Sequence, residues 1–354
     1  MTTKKVKIGF IGVGSMGQCA HLKNYASFKD ECEVVAIAEL RQNTAKAVAA
    51  KYGISKVYHD AEEMLKNEKL DGIVASQQFT RHGILLKSIL NANVPVFIEK
   101  PLAGSIPVAE NILKTIQSTK TPVMVGYHKR SDLACEYAKQ LIEELKNSNE
   151  LGAMKYIRIL MPAGDWIAGG FSDLISCEEG SMPELEWDPA DPSMDEKTYA
   201  DYISFVNYYI HQVNLMRFFL GEDYKVTYAD PGKVLIAGVS DSGVTCAIEM
   251  SPYSTTIDWQ ESVLVAFEKG YIKIELPAPL ASNRPGKVEV FKDPGNGKTP
   301  ETLIPQFDWV HAMKNQAANF IKLIKKEQKA PCEASEALKD LQIAKDYIDL
   351  LKEN

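Results

Sequence analysis

The chain has 354 residues, enough for two domains, because single hydrophobic cores rarely grow past ~250–300 residues. Apolar and charged contents of 45% and 25% are ordinary for a globular protein. A formal charge of −7 argues against nucleic acid as the main partner, since a polyphosphate needs a basic face, but it leaves room for one local basic pocket. No run approaches the ~18 apolar residues of a membrane span. The apolar stretch near the N-terminus is cut by Gly9, Gly12, Gly14 and Gly17 and lacks a small-residue cleavage site. Six cysteines, Cys19, Cys32, Cys135, Cys177, Cys246 and Cys332, are scattered without C-x-x-C spacing. That pattern points to a reducing cytoplasm and to neither a disulfide framework nor a metal site.

In chain order, Val6 to Ile11 reads as a buried strand running into G-x-G-x-x-G at Gly12, Gly14 and Gly17, with a helix expected from Ser15 to about Phe28. Strand, glycine turn and helix in that order suit a dinucleotide. Gly12 permits the tight turn, Gly14 lets backbone approach a pyrophosphate, and Gly17 lets helix pack on strand. The helix start then offers unpaired N–H groups and a positive dipole end. Glu39 closes the next apolar run, Glu33 to Ala38, where an acid ~20 residues past the glycines accepts from ribose hydroxyls. A helix from Asn43 to Tyr52 stops at Gly53, Val57-Tyr58 is a minimal strand, and Asp60 is placed to cap a helix from Ala61 to Asn67. Strands at Gly72–Ala75, Val94–Ile98 and Val123–Val125 alternate with helices at His82–Leu90 and Pro107–Gln117. Such alternation implies a parallel sheet covered on both faces, a Rossmann domain over residues 1–126.

After a helix at Leu133–Lys146 the pattern changes. Strands are expected at Met154–Met161, Lys233–Val239, Val244–Met250, Ser262–Phe267, Tyr271–Leu276 and Lys287–Phe291, joined by turns such as Ser240-Asp241-Ser242-Gly243. Helices follow at about Trp309–Lys326 and Glu333–Leu351. Residues 127–354 therefore read as an α+β domain with a largely antiparallel, open-faced sheet, for substrate binding and oligomer contacts. Within it, Pro162 to Asp201 is long, irregular and acidic, with Lys197 its one basic residue. It is either functional, with Trp166 stacking on a sugar face, or a solvated loop or subunit contact. A mostly apolar helix from Tyr199 to Leu220 carries Ser204, Asn207, His211 and Asn214 at helical spacing. Their stripe either faces a cavity or forms a satisfied core network.

Together these pieces resemble the glucose–fructose oxidoreductase, inositol dehydrogenase and rhizopine catabolism family, Gfo/Idh/MocA. The matching residues are Gly12-Val13-Gly14-Ser15-Met16-Gly17, Glu39, His82, Val96-Phe97-Ile98-Glu99-Lys100-Pro101, Gly126-Tyr127-His128-Lys129-Arg130, His211 and Leu220-Gly221. The similarity spans nearly the whole chain, and Glu-Lys-Pro is its specific part. The resemblance implies a nicotinamide-dependent oxidoreductase acting on a hydroxyl or ketone of a sugar or cyclitol, assembled as a homodimer or homotetramer. It implies cofactor contacts at Gly12, Gly14, Ser15, Met16, Gly17, Glu39, Arg41, Ser76, Gln77, His82, Glu99 and Lys100. Lys100, His211 and Asn207 are the implied catalytic residues, and Tyr127, His128, Trp166, Asn207 and His211 the implied substrate contacts.

The chemistry agrees. Lys100 ends the fifth strand, where an ammonium stabilises a developing alkoxide, and His211 can take the hydroxyl proton. Glu99 can position Lys100 or contact the nicotinamide ribose. Asn207 and Asn214 stand where many family members carry aspartate, and Gln77-Gln78-Phe79 replaces threonine-proline-asparagine. His211 is then either a base assisted by Lys100 or mainly a substrate-binding donor. Glu39 would repel a 2′-phosphate and favours NAD over NADP, with Arg41 the feature an NADP site would use. Alternatives on the same fold are a glycoside hydrolase that uses transient oxidation by NAD and a non-catalytic NAD- or sugar-binding regulator.

Overall fold

The computed structural model describes residues 5–177 and 184–353. Chain contacts group into two compact units, each discontinuous. The first comprises Met1–Tyr127, Gly170–Tyr199 and Met313–Leu341; the second comprises His128–Gly169, Ala200–Ala312 and Gln342–Asn354.

The first unit is built on a six-stranded parallel sheet. Its strands are β1 (Val6–Ile11), β2 (Cys32–Ala38), β3 (Lys56–Tyr58), β4 (Gly72–Ala75), β5 (Val96–Ile98) and β6 (Val123–Val125), in the order β3-β2-β1-β4-β5-β6. The order reverses beside β1, where the glycine loop emerges, as ligand sites on open parallel sheets require. Central strands buried on both faces need continuous apolar runs, and β4 and β5 are buried throughout. Helices α2 (Gln42–Tyr52), α3 (Ala61–Asn67), α4 (His82–Leu90) and α5 (Ile106–Thr119) fall where the sequence places them. Asp60 caps α3 by accepting from the Glu63 N–H at 2.8 Å, and Gly53 ends α2 with φ +70. One face of the sheet is closed by a distant helix, Ala312–Ile324, whose Phe320 lies edge-on to Tyr25 and Phe97. Burying such a ring contributes about 1.5–3 kcal/mol.

The helix expected at Ser15–Phe28 is present from Ser15 to Tyr25, but its winding is not regular. Gly17–Leu22 is a π-helical turn followed by a short α-helical piece, α1 (Lys23–Tyr25). The wider turn accompanies two buried polar side chains, Gln18 and His21, that reach partners outside the helix.

The second unit carries an eight-stranded sheet. Its strands are β7 (Met154–Ala163), β8 (Tyr224–Ala229), β9 (Leu235–Ser240), β10 (Thr245–Ser254), β11 (Glu261–Phe267), β12 (Gly270–Leu276), β13 (Lys287–Lys292) and β14 (Glu301–Leu303), ordered β14-β13-β12-β11-β7-β10-β9-β8. All neighbours are antiparallel except β7 and β10. β8 and β14, the two edges, have no counterpart in the sequence reading. Alternation sets the register: Val263, Val265 and Phe267 of β11 point inward, while Ser262, Leu264 and Ala266 point outward and are only half-buried. Helix α6 (Leu133–Ser148) packs against the inner side.

The expected helix Tyr199–Leu220 is in fact two, α7 (Glu196–Tyr208) and α8 (Ile210–Leu220), interrupted at Tyr209. The Tyr209 hydroxyl is hydrogen-bonded to Ser251 Oγ, so the side chain at the break is tied to β10. The last two helices are α9 (Ala312–Ile324) and α10 (Ala334–Glu353).

Candidate functional site

In the first unit the glycine loop starts at β1. The Gly12 N–H donates to the Ala38 carbonyl at 2.9 Å, and its φ of +86 belongs to glycine. A Cβ on Gly12 would stand 2.4 Å from the Ser76 carbonyl oxygen, and one on Gly17 would stand 2.2 Å from that of Gly12. These two glycines therefore serve close packing of the loop. Gly14 differs: its Cβ would meet only Arg41 Nη2, at 3.4 Å, so the backbone there is open to a ligand. Ser76 and Gln77 lie against Gly12, which brings both beside the loop. Ser15 and Met16 open the following helical segment.

Glu39 is buried at the end of β2 and accepts from the Val13 N–H at 2.8 Å. Arg41 binds it in a fork, Nε to Oε1 and Nη2 to Oε2, each at 2.9 Å. Burial pushes the Glu39 carboxyl up, but the hydrogen bonds from Arg41 and Val13 outweigh it and hold it below the usual carboxylate range. An ionised acid at that strand end, beside an open glycine, fits the ribose and pyrophosphate of a dinucleotide.

At the end of β5, Glu99 accepts from the Lys100 backbone N–H at 3.0 Å, and its other oxygen is hydrogen-bonded to His21 Nε2. Burial raises the Glu99 carboxyl, yet the His21 and Lys100 contacts bring it below its ordinary value. His21, which is buried and packs on Phe97, was not singled out from the sequence. A lone histidine on a helix face reads as core, and only its register against β5 shows its partner. The Lys100–Pro101 peptide is cis. His82 is buried, with Nδ1 donating to the Leu102 carbonyl at 3.0 Å, and burial pushes its imidazole below the usual histidine range.

The acidic stretch read as part of the second domain packs, in its described residues after Gly169, on the first unit. Gln18 and Ile175 exchange hydrogen bonds, Nε2 to the Ile175 carbonyl at 2.9 Å and the Ile175 N–H back to Oε1 at 3.0 Å. The same Nε2 donates to Val13 O of the glycine loop at 2.8 Å. Further on, the Asp188 carboxylate caps α4 through the N–H groups of Gly83 and Ile84 at 2.8 and 3.0 Å. Its acidity is therefore used locally, at a helix start.

In the second unit, His128, Lys129 and Arg130 lie on one buried 3-10 turn, His128–Ser131. The His128 ring meets the half-buried His211 ring of α8 edge to face, centroids 4.6 Å apart. Arg130 Nε donates to Asn214 Oδ1 at 2.7 Å, so Asn214 is a network residue at the inner end of the expected stripe. Ser204 and Asn207, across the break at Tyr209, are exposed on α7. Trp166 is half-buried, and its carbonyl accepts from the Leu280 N–H at 3.2 Å. Tyr127 closes the first unit and is buried.

A cavity beside His128 is lined by Lys129, Asp132, Arg284 and His311 on its polar side and by Leu276 to Pro279 on its apolar side. His311 Nδ1 accepts from the Asn283 N–H at 3.1 Å, so its proton is carried on Nε2. Asp132 caps α6 through the Ala134 N–H at 2.9 Å and also accepts from Gly286. Burial raises its carboxyl from 3.8 to about 6 against those hydrogen bonds. A carboxyl whose folded value is raised stabilises the fold below the unfolded value, and that contribution is lost as pH rises from about 4 to about 6. Asp132→Asn removes the titration. The stability of the variant relative to wild type should therefore climb across that window in urea melts at stepped pH; a flat difference would refute the shift.

Fold and loop thus define a dinucleotide-binding Rossmann protein with an α+β unit appended. Residues 6–127 match the Gfo/Idh/MocA family model, described as an oxidoreductase family with an NAD-binding Rossmann fold, and over that segment the chain is similar to the family. Among curated proteins, myo-inositol 2-dehydrogenase of Thermotoga maritima is 23% identical over 65% of this chain, a match spanning 59% of that relative. Among solved structures, scyllo-inositol dehydrogenase of Lactobacillus casei, with bound NAD(H) and scyllo-inositol, superposes with a TM-score of 0.69 at 17% identity, covering 99% of this chain and 98% of that one. An oxidoreductase domain protein of Kribbella flavida gives 0.74 at 16% identity, covering 100% and 98%. At these identities the two structures establish the shared fold. No helix among the described residues is long and apolar enough to cross a membrane.

Proposed function

We propose that the protein is an NAD-dependent dehydrogenase acting on a secondary hydroxyl of a cyclitol, sugar or sugar derivative, or on the matching ketone. The observation that carries this is the combination of an open dinucleotide loop at Gly14 with Lys100 fixed at the end of β5 by Glu99. The inositol dehydrogenases among its relatives support the substrate class.

Gly12, Gly14, Ser15, Met16 and Gly17 would hold the pyrophosphate, Glu39 and Arg41 the adenosine ribose, and Ser76, Gln77, His82 and Glu99 the remainder. NAD, when bound, supplies the hydride acceptor. The Lys100 ammonium donates to the reacting oxygen and stabilises the negative charge that develops on it. His211 accepts the hydroxyl proton, assisted by Lys100 because Asn207 brings no charge. Tyr127, His128, Trp166 and Asn207 contact the substrate. In this assignment residues 1–126 serve the dinucleotide and residues 127–354 the substrate. We take the chain to work in the cytoplasm, in keeping with cysteines that form no disulfide. Assembly as a homodimer or homotetramer is supported by the outward side of the eight-stranded sheet, where Tyr228 and Val239 are 45% and 39% exposed.

The test is reduced-nicotinamide absorbance across a panel of inositols, aldoses and sugar acids, with NAD and NADP in parallel. Turnover of a polyol with NAD, and weaker turnover with NADP because of Glu39, is the expected result. Tight NADH binding with no turnover of any member would overturn the dehydrogenase in favour of a binding protein. Release of an aglycone without net cofactor reduction would overturn it in favour of a hydrolase.

A further inference from the structure

One buried carboxylate joins the two segments that carry the histidine pair. Glu261 opens β11 on the inward register, where Val263, Val265 and Phe267 follow it, and the residue is only 3% exposed. A charge on that face has to find partners. Its Oε2 accepts from Lys129 Nζ at 2.6 Å and from Trp259 Nε1 at 3.3 Å, and its Oε1 accepts from Gln212 Nε2 at 2.7 Å. Lys129 and Gln212 are themselves buried. Each adjoins one member of the pair: Lys129 follows His128 on the 3-10 turn, and Gln212 follows His211 on α8.

We propose that Glu261 is a positioning residue for His128 and His211, its two oxygens joining the turn that carries one ring to the helix that carries the other. The carboxylate contacts both neighbours, and it does so from a third element, the sheet. A buried ion pair adds little to stability compared with apolar packing of the same volume, so its value here lies in geometry. The geometry is specific. Gln212 keeps its tie to Glu261 although its own carbonyl oxygen has no hydrogen-bond partner among the described residues. The Arg130–Asn214 bond joins the same turn and helix further along, so the segments are fixed at two points and the rings between them keep one relative orientation. An edge-to-face contact depends on that orientation, as does a base that must meet a hydroxyl at hydrogen-bond distance. That His211 takes a proton rests on the proposed function; the coupling of Glu261 to the two rings does not.

Two variants separate the roles. Glu261→Gln keeps the shape but strands the Lys129 ammonium, which endangers folding. Gln212→Leu cuts only the tie to α8 and leaves the ion pair intact. The probe is the set of imidazole Cε1–Hε1 signals of protein labelled with 13C-histidine, assigned through His128→Gln and His211→Gln. In Gln212→Leu, and in Glu261→Gln where it folds, the His128 and His211 signals should lose their mutual ring-current displacement, while those of His21, His59, His82 and His311 stay in place. On whichever polyol of the panel is turned over, kcat should fall about tenfold with the NAD KM unchanged. If the His128 and His211 signals of folded Gln212→Leu hold still, Glu261 does not position the pair. Collapse of all six signals in Gln212→Leu also refutes it, because the residue would then be holding the fold. If no polyol is turned over, the dehydrogenase fails while the histidine signals still decide the role of Glu261.

Discussion

Lys100→Ala should lower kcat/KM by about a thousandfold or more while leaving NADH affinity within a few fold of wild type. The expected size follows from removing a preorganised cation aimed at a developing alkoxide, a loss that typically costs 10²–10³ or more in rate. The affinity is spared because the glycine loop, Glu39 and Arg41 do not depend on the ammonium: their hydrogen bonds are made among themselves. Stopped-flow fluorescence of bound NADH gives the affinity, and initial rates on the best polyol of the panel give the rest. Activity within tenfold of wild type would remove Lys100 from the chemistry. Equal losses of rate and NADH affinity would instead make it a cofactor-holding residue.

His211→Ala is the second large effect, about a hundred- to ten-thousandfold in kcat, the range for loss of a positioned general base. It carries a signature that Lys100→Ala lacks. The limb of the kcat/KM profile set by the imidazole should vanish, and high pH should restore part of the rate because hydroxide substitutes for the base. The half-buried side chain lies at the start of α8, so truncation leaves a small void and the melting temperature should move little. A full-rate His211→Ala enzyme, or a profile unchanged in shape, would reduce His211 to a substrate contact. An active Lys100→Ala/His211→Ala double variant would exclude both roles together.

Most of the first unit was legible in the sequence because each element there announces itself locally. β4 and β5 are continuous apolar runs, Asp60 and Gly53 mark helix ends by their own chemistry, and Gly12 and Gly17 signal a turn whose tightness the structure confirms in ångströms. The second unit was harder for reasons that are equally physical. β8 and β14 are edge strands: β14 is exposed throughout, and the in–out alternation of β8 is interrupted between Val226 and Tyr228. The break at Tyr209 leaves no mark in the apolar pattern of α7 and α8, and the partner of its hydroxyl, Ser251, lies on a strand more than forty residues away. A stripe drawn through that break joined exposed Asn207 to buried Asn214.

The partners behind the site were less visible than the site itself. His21 and Glu261 each contact a residue far along the chain, Glu99 and Lys129. One signal was available: Glu261 falls in phase with Val263 and Val265, and an acid on the inward phase of an alternating strand demands a buried cation. No comparable signal marks His21, because a helix tolerates a histidine on its packed face without any change of pattern.

The closing helix of the first unit bears on how the protein is made. Ala317, Phe320 and Ile321 of α9 share one core with Phe10, Tyr25 and Phe97, although about two hundred residues of chain lie between the two groups. On a ribosome the six strands would emerge first with one apolar face still bare, and at 5–20 residues per second the covering helix follows roughly ten or more seconds later. A nascent chain in that interval is a natural client for a holding chaperone. A gene fragment ending at Gly126 should accordingly yield insoluble protein, whereas the same fragment supplied in trans with a peptide spanning α9 has what it lacks.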